Sequence, residues 1–225
     1  MLWALTASWL AAASLAAACF VIARRLYLQR QELTGLIAAL EIFKERTAVR
    51  AREMERLAFE DKLTGLRNRR FMDTDLPREF ERTRRFGREF TLAILDVDGF
   101  KQINDRYSHQ TGDRVLAELG ALLQRACRTM DAVVRYGGDE FVLYFPETPL
   151  PTGRRVCQRV LEHVNNHDWD AIEPGLQVTL TIGLASTRDT DTVDELLQTA
   201  DTRLLAAKQA GKNRLVDEPV LARVA

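Results

Sequence analysis

Two short acidic stretches stand where a sheet would deliver carboxylates to one spot. The run Thr91 to Asp96 (TLAILD) is a buried-strand pattern ending on an acid, and Val97, Asp98, Gly99 and Phe100 then lead into a helical turn. Farther on, two apolar strands, Val133 to Tyr136 and Phe141 to Phe145, flank Gly137, Gly138, Asp139 and Glu140, which suits a tight hairpin with paired acids at its tip. A carboxylate at a strand end can hold a divalent cation, and free N–H groups at the next helix start can hold phosphate oxygens. Glycines at the turn let a substrate approach the backbone closely. Separately, each stretch reads as an ordinary solvated turn; their conjunction is what points to chemistry.

The elements that must position these residues read as a compact α+β domain over 61–217, with a tail at 218–225. Helices are expected near Arg69 to Phe86, Thr111 to Arg125, Pro151 to Asn166 and Val193 to Ala210. Strands are expected at Thr91 to Asp96, Val133 to Tyr136, Phe141 to Phe145 and Gln177 to Ser186. Before the domain, residues 24–60 contain no proline and carry Leu26, Leu33, Ile37, Leu40, Phe43, Met54 and Leu57 at helical spacing. Leu26, Leu33, Leu40 and Met54 fall on a seven-residue repeat, with Thr47 filling the gap, so this linker helix can pair in a parallel coiled coil. Lys44 makes the seam impure, and a solvated connector helix is the alternative.

Leu2 to Ala23 carries no charge and is about long enough at ~1.5 Å per residue to cross a bilayer, so residues 1–23 read as a transmembrane helix. Arg24, Arg25 and Arg30 follow at once and favour a cytoplasmic side. The expectation is a single-pass inner-membrane protein with the rest of the chain in the cytoplasm. A cleaved signal peptide is the rival, but no basic segment precedes the apolar run. The LAAAC at Leu15 to Cys19 resembles a lipoprotein cleavage site only weakly, since Ala16 stands where a larger aliphatic residue is expected.

Composition excludes several classes. With 225 residues, 46% hydrophobic and 28% charged, the chain is an ordinary globular domain with an accessory segment, not a disordered one. Lys+Arg and Asp+Glu balance at 32 each, so no basic excess suggests nucleic acid, and any anionic ligand must be held locally. Cys19, Cys127 and Cys157 are far apart, which argues against a zinc site or a disulfide framework.

Arg135 to Phe141 (RYGGDEF), with Asp96 to Asp113 (DVDGFKQINDRYSHQTGD), closely resembles the GGDEF-domain diguanylate cyclases. Asp61 to Arg70 (DKLTGLRNRR), Thr181 to Ala185 (TIGLA), Ala200 to Lys208 (ADTRLLAAK) and Gly211 to Arg214 (GKNR) agree in order and spacing, so the resemblance covers about 61–216. It implies a central antiparallel sheet flanked by helices, related to the palm of nucleotidyl cyclases, and conversion of two GTP into cyclic di-GMP and two pyrophosphates. It also implies that Asp96, the Val97 carbonyl, Asp139 and Glu140 hold Mg²⁺ or Mn²⁺, with Asp139, Glu140 and Lys101 as the catalytic group. Asn104 and Asp113 match guanine-binding positions, an amide and a carboxylate suited to the base's mixed edge. Phe100, Gly137 and Gly138 complete the substrate cradle, and Lys101, Lys208 and Lys212 match positions facing the triphosphate.

Arg128 to Asp131 (RTMD) lies five residues before the glycine pair and matches the family's RxxD inhibitory site for cyclic di-GMP, with Arg159 as a contribution from a neighbouring domain. Departures from the pattern are Ser108 for the usual glycine, Gly99 for a polar residue and Leu205 for a tyrosine; none is a proposed metal or guanine contact. Joining two nucleotides symmetrically requires two domains face to face, hence a homodimer. An activating protein partner is compatible with the chain, and the sequence identifies none. Two rival functions remain at this point: a domain that binds GTP or cyclic di-GMP without turnover, which the intact Gly137 to Phe141 signature disfavours, and a cyclase of other purine specificity, which Asp113 disfavours.

Overall fold

The computed structural model describes the backbone of residues 2–218; residue 1, residues 219–225 and the side chains of residues 1–8 and 10–13 lie outside the described residues, and the expected tail falls almost wholly there. The chain divides into two units, residues 1–55 and 56–225. The described residues of the first all lie within the helix α1 (Leu2–Phe59). Leu26, Leu33, Leu40 and Met54 are exposed along it.

The membrane span expected at 1–23, and with it the inner-membrane placement, is corrected: among the described residues no helix is long and apolar enough to cross a membrane. The helix does not stop at the expected boundary but continues unbroken through Arg24, Arg25 and Arg30.

In the second unit, a six-stranded sheet has the order β1-β3-β4-β2-β5-β6, with β1 at Arg67–Asn68, β2 at Thr91–Val97, β3 at Ala132–Gly137, β4 at Glu140–Phe145, β5 at Leu180–Ser186 and β6 at Leu215–Val216. The sheet is mixed, which corrects the antiparallel expectation. The four inner strands are antiparallel, but β1 pairs with β3 and β6 with β5 in parallel. The two edge strands are two residues long, too short for any side-chain periodicity to announce them.

The apolar run of β2 is explained by burial on both faces. Ala93, Leu95 and Val97 enter one core with α4 (His109–Ala126) and α5 (Leu150–Asn165); Leu92 and Ile94 enter the other with α2 (Arg69–Arg85) and α6 (Val193–Gln209). Polar caps fix where helices begin: Asn68, Ser108 and Thr192 accept from the N–H of Phe71, Thr111 and Glu195. The Ser108 cap starts α4 at His109, two residues ahead of the expected start, and separates it from α3 (Phe100–Arg106).

The seating of α6 on the sheet rests on one glycine. A Cβ at Gly183 in β5 would lie 2.1 Å from the Ala200 carbonyl oxygen and 2.3 Å from the Leu204 nitrogen, so helix backbone lies directly on strand backbone there. Gly183 pairs with Ile94, two residues before Asp96, and this contact sets how α6 delivers side chains to the end of β2.

Candidate active site

Asp96 shares its face of β2 with Leu92 and Ile94 by the two-residue alternation, and across the ladder it pairs directly with Glu140. Two acids opposite one another repel. Burial raises the Asp96 carboxyl above its usual range, with Asp139 and Asp98 adding to the shift and Lys208 opposing it. Burial likewise raises Glu140, and Asp96, Asp139 and Asp201 add their charge. A cation already sits among these acids: the Lys208 ammonium lies 2.8 Å from Asp96 Oδ2.

Asp139 stands at the hairpin tip between Gly137 and Glu140, which pair across the turn. Gly138 occupies the left-handed region at φ 51°, which only glycine adopts freely. The tip is tied to β2 by the Val97 N–H, which donates to the Asp139 carbonyl at 3.3 Å. Arg135 holds it from behind: its Nη2 and Nε donate to the Gly138 carbonyl at 2.8 and 3.1 Å, while Nη1 donates to Asp61 at 3.0 Å. Asp61 also accepts from the Thr64 N–H and hydroxyl. Burial raises the Asp61 carboxyl, but these Thr64 and Arg135 contacts outweigh it and hold the group below its ordinary value. Sequence reasoning had read Asp61 and Arg135 only as parts of matching blocks. Their partnership spans 74 positions, and no local pattern reports it.

Asp98 is a second residue that sequence reasoning left without a role. Its carboxylate accepts from the Thr179 and Thr181 hydroxyls at 2.7 and 2.6 Å and from the Asn213 N–H at 3.0 Å. It thereby pins a turn in which Lys212 and Asn213 are both left-handed, at φ 59° and 42°, a conformation that disfavours side chains. Lys212 is exposed in that turn and Lys101 is exposed on the first turn of α3; among the described residues neither forms an ion pair.

Phe100 and Asn104 on α3 meet Gly112 on α4. A Cβ at Gly112 would lie 1.9 Å from Asn104 Oδ1 and 3.1 Å from Phe100 Cζ. Asn104 Oδ1 is buried there without a hydrogen-bond partner, an arrangement that leaves the amide available to a ligand. Asp113 follows Gly112 directly and is exposed.

Among the described residues no three Asp, Glu, His or Cys side chains converge closely enough to hold a metal ion by themselves. The residues nonetheless fit a hard divalent cation. Asp96 and Glu140 are paired, the Val97 backbone adjoins them, and an ammonium stands in at the Asp96 oxygen.

A cavity of about 610 Å³ is lined by Arg67, Asp75, Arg82, Arg128, Asp131 and Tyr144, among others. Asp131 accepts from the Arg128 N–H at 2.8 Å, closing a tight turn that leaves the Arg128 side chain exposed. Burial raises the Asp131 carboxyl, against the Arg128 N–H and the charges of Arg128 and Arg159. Arg159 reaches this corner within the same chain, from α5, where it donates to the Ala126 carbonyl at 2.6 Å.

The model of the family described as "Diguanylate cyclase, GGDEF domain" matches residues 58–214. The response regulator PleD of Caulobacter vibrioides is 37% identical over 163 residues, covering 71% of this chain and 36% of PleD. The diguanylate cyclase DgcM of Escherichia coli is 34% identical over 165 residues, covering 73% of this chain and 39% of DgcM. This chain thus spans well under half the length of these relatives. The solved coiled coil and GGDEF domain of DgcB from Caulobacter crescentus, in complex with c-di-GMP, aligns with a TM-score of 0.73 at 27% identity over 83% of this chain and 99% of that one. Diguanylate cyclase SiaD of Pseudomonas aeruginosa, solved with its activator SiaC, aligns at 0.70 with 32% identity over 88% of this chain and 76% of that one. On the matched domain, its mixed sheet and its intact acidic hairpin, the chain belongs to the diguanylate cyclase GGDEF domain family.

Proposed function

We propose that the chain condenses two GTP into cyclic di-GMP and two pyrophosphates. The observation that carries this reading is the pairing of Asp96 with Glu140 beside Asp139, an acid cluster held at one end of the sheet with an ammonium among the carboxylates. In each half-reaction a ribose 3′-hydroxyl attacks an α-phosphorus and pyrophosphate leaves. Diguanylate cyclases generally use divalent metal ions; held by Asp96, Glu140, Asp139 and the Val97 carbonyl, Mg²⁺ or Mn²⁺ would supply charge neutralisation at the triphosphate and acidify the hydroxyl.

The chain's own residues divide the remaining work. Asn104 and Asp113 bind guanine, with Phe100 and Gly112 shaping the seat of the amide. Lys101 and Lys212 bind triphosphate oxygens, joined by Lys208. Gly137 and Gly138 leave the hairpin open to the nucleotide. Glu140, paired with Asp96 at the end of the sheet, accepts the proton of the attacking hydroxyl.

One such domain offers one site, so turnover requires a C2 homodimer with two sites opposed. The exposed heptad of α1 supports pairing of two linker helices, which raises the local concentration of the domains. The cavity at Arg128 and Asp131, with the Arg159 charge close to Asp131, supports a separate inhibitory site for cyclic di-GMP, where a guanidinium beside a carboxylate grips phosphate and guanine together. The complex of SiaD with its activator SiaC supports a protein partner as one source of activation.

The function is tested by coupled detection of pyrophosphate from GTP and Mg²⁺, beside Asp96→Ala. Release equimolar with GTP consumed, and lost in the variant, is the expected result. Consumption that yields inorganic phosphate, or that survives in Asp96→Ala, rejects the assignment.

A further inference from the structure

We propose that Lys208 is the resident counter-cation of the metal site: its ammonium holds Asp96 until a divalent ion arrives, and the exchange releases Lys208 to the triphosphate. The inference rests on the metal reading above, and the experiment separates the two.

Three observations carry it. The Lys208 ammonium lies 2.8 Å from Asp96 Oδ2, with the two side chains only 33% and 14% exposed, so the pair is partly removed from water. The acids around it repel one another: Asp96 pairs with Glu140 across the ladder, with Asp139 at the adjoining tip and Asp98 two residues on. Such a cluster in a half-buried position requires a compensating cation whether or not a metal is bound.

The third observation is that backbone packing aims the lysine. Leu204 rests on Gly183, which pairs with Ile94. Lys208 lies one helical turn beyond Leu204, and Asp96 lies two strand residues beyond Ile94, so both advance about 6 Å along the same line. A contact between main chains thus sets the reach of the ammonium, rather than a wandering surface side chain finding Asp96.

Asp96 Oδ2 accepts from the Lys208 ammonium at this distance, and a divalent ion held at the same oxygen would stand against it as a like charge. A divalent ion at Oδ2 would therefore displace Lys208. The displaced ammonium needs a new anion, and the triphosphate supplies one. Metal binding and nucleotide binding are accordingly coupled through a single side chain: in the absence of nucleotide Lys208 competes with the ion, and in its presence Lys208 no longer opposes it.

The test titrates Mn²⁺ alone, without nucleotide, into the full chain and reads free Mn²⁺ by electron paramagnetic resonance. Wild type, Lys208→Met, Lys208→Gln, Lys208→Arg and Asp96→Asn are compared, each checked for a wild-type melting profile. Lys208→Met and Lys208→Gln are expected to bind Mn²⁺ at least about fivefold tighter than wild type, whereas Lys208→Arg, which keeps the charge, stays near wild type. Affinity for a non-reacting GTP analogue is expected to move the opposite way, falling at least about fivefold in Lys208→Met. A lysine with a merely structural role would weaken both. Unchanged or weakened Mn²⁺ binding in the two neutral variants, while Asp96→Asn loses it, overturns the proposal and leaves the metal site standing. Mn²⁺ binding that ignores Asp96 in every variant overturns the metal reading, and the proposal with it.

Discussion

Gly183→Ala is a small substitution for which the geometry predicts a large effect. Its new methyl would sit 2.1 Å from the Ala200 carbonyl oxygen and 2.3 Å from the Leu204 nitrogen. An ordinary contact begins at about 3.4 Å, so α6 must withdraw by roughly 1 Å, and the obstruction is main chain that cannot rotate away. Overpacking costs about 1–3 kcal/mol, and with backbone on the far side the upper end applies, ~3 kcal/mol. At about 2–4 °C per kcal/mol for a domain of this size, the melting temperature should fall by about 6–12 °C. The same withdrawal lifts Lys208 from Asp96, and a ~1 Å misplacement at a catalytic site can reduce turnover by about a hundredfold. Thermal melts of the full chain followed by circular dichroism, with turnover assayed well below the transition, measure both effects. Gly35→Ala, where a Cβ meets nothing within 4 Å, serves as control and should leave both unchanged or slightly raise stability. A Gly183→Ala protein that melts within 1 °C of wild type would refute the seating of α6 on β5 and the aiming of Lys208 that follows from it.

Arg135→Ala should lower turnover more than tenfold by freeing the Gly138 carbonyl, and destabilise by about 1–2 kcal/mol in urea titrations. Because Asp61 titrates below its ordinary 3.8 in the folded protein, this stabilising contribution is present above that pH and is lost as pH falls through the lowered folded value; the gap between variant and wild-type midpoints should therefore be full at neutral pH and shrink below about pH 4. Glu140→Gln removes one of two acids paired across β2 and β4 and should raise the melting temperature of the metal-free protein while abolishing turnover; a lower melting temperature would contradict the crowding argument. If cyclic di-GMP binds at the proposed inhibitory site, wild-type progress curves should bend as product accumulates, and paired Arg128→Ala and Asp131→Ala substitutions should straighten them while keeping the initial rate.

What the sequence disclosed and what it withheld follow the range of each interaction. Strand β2 was legible because a run buried on both faces is apolar at every position from Leu92 to Leu95. The acidic hairpin was legible because a glycine pair between apolar strands is a local signal. Edge strands β1 and β6 were not, since two residues carry no period. Gly183 appeared only as one letter of a matching block, and its reason, the backbone of α6, lies 17 residues ahead at Ala200 and more. Asp61 with Arg135, and Asp98 with Thr179, Thr181 and Asn213, join residues distant in the chain, so their roles emerged only with the fold. The uncharged run before Arg24 invited a membrane reading, yet among the described residues no helix is long and apolar enough to cross a membrane.

On the proposed function, the acid cluster at the end of β2 makes a cyclic dinucleotide. Incubating the full chain with GTP and Mg²⁺ and resolving nucleotides by chromatography and mass, beside an Asp139→Ala, Glu140→Ala protein, tests it most directly. The account predicts cyclic di-GMP from the wild type alone. Unreacted GTP from a folded, dimeric wild-type sample, or the same product from both proteins, would contradict it.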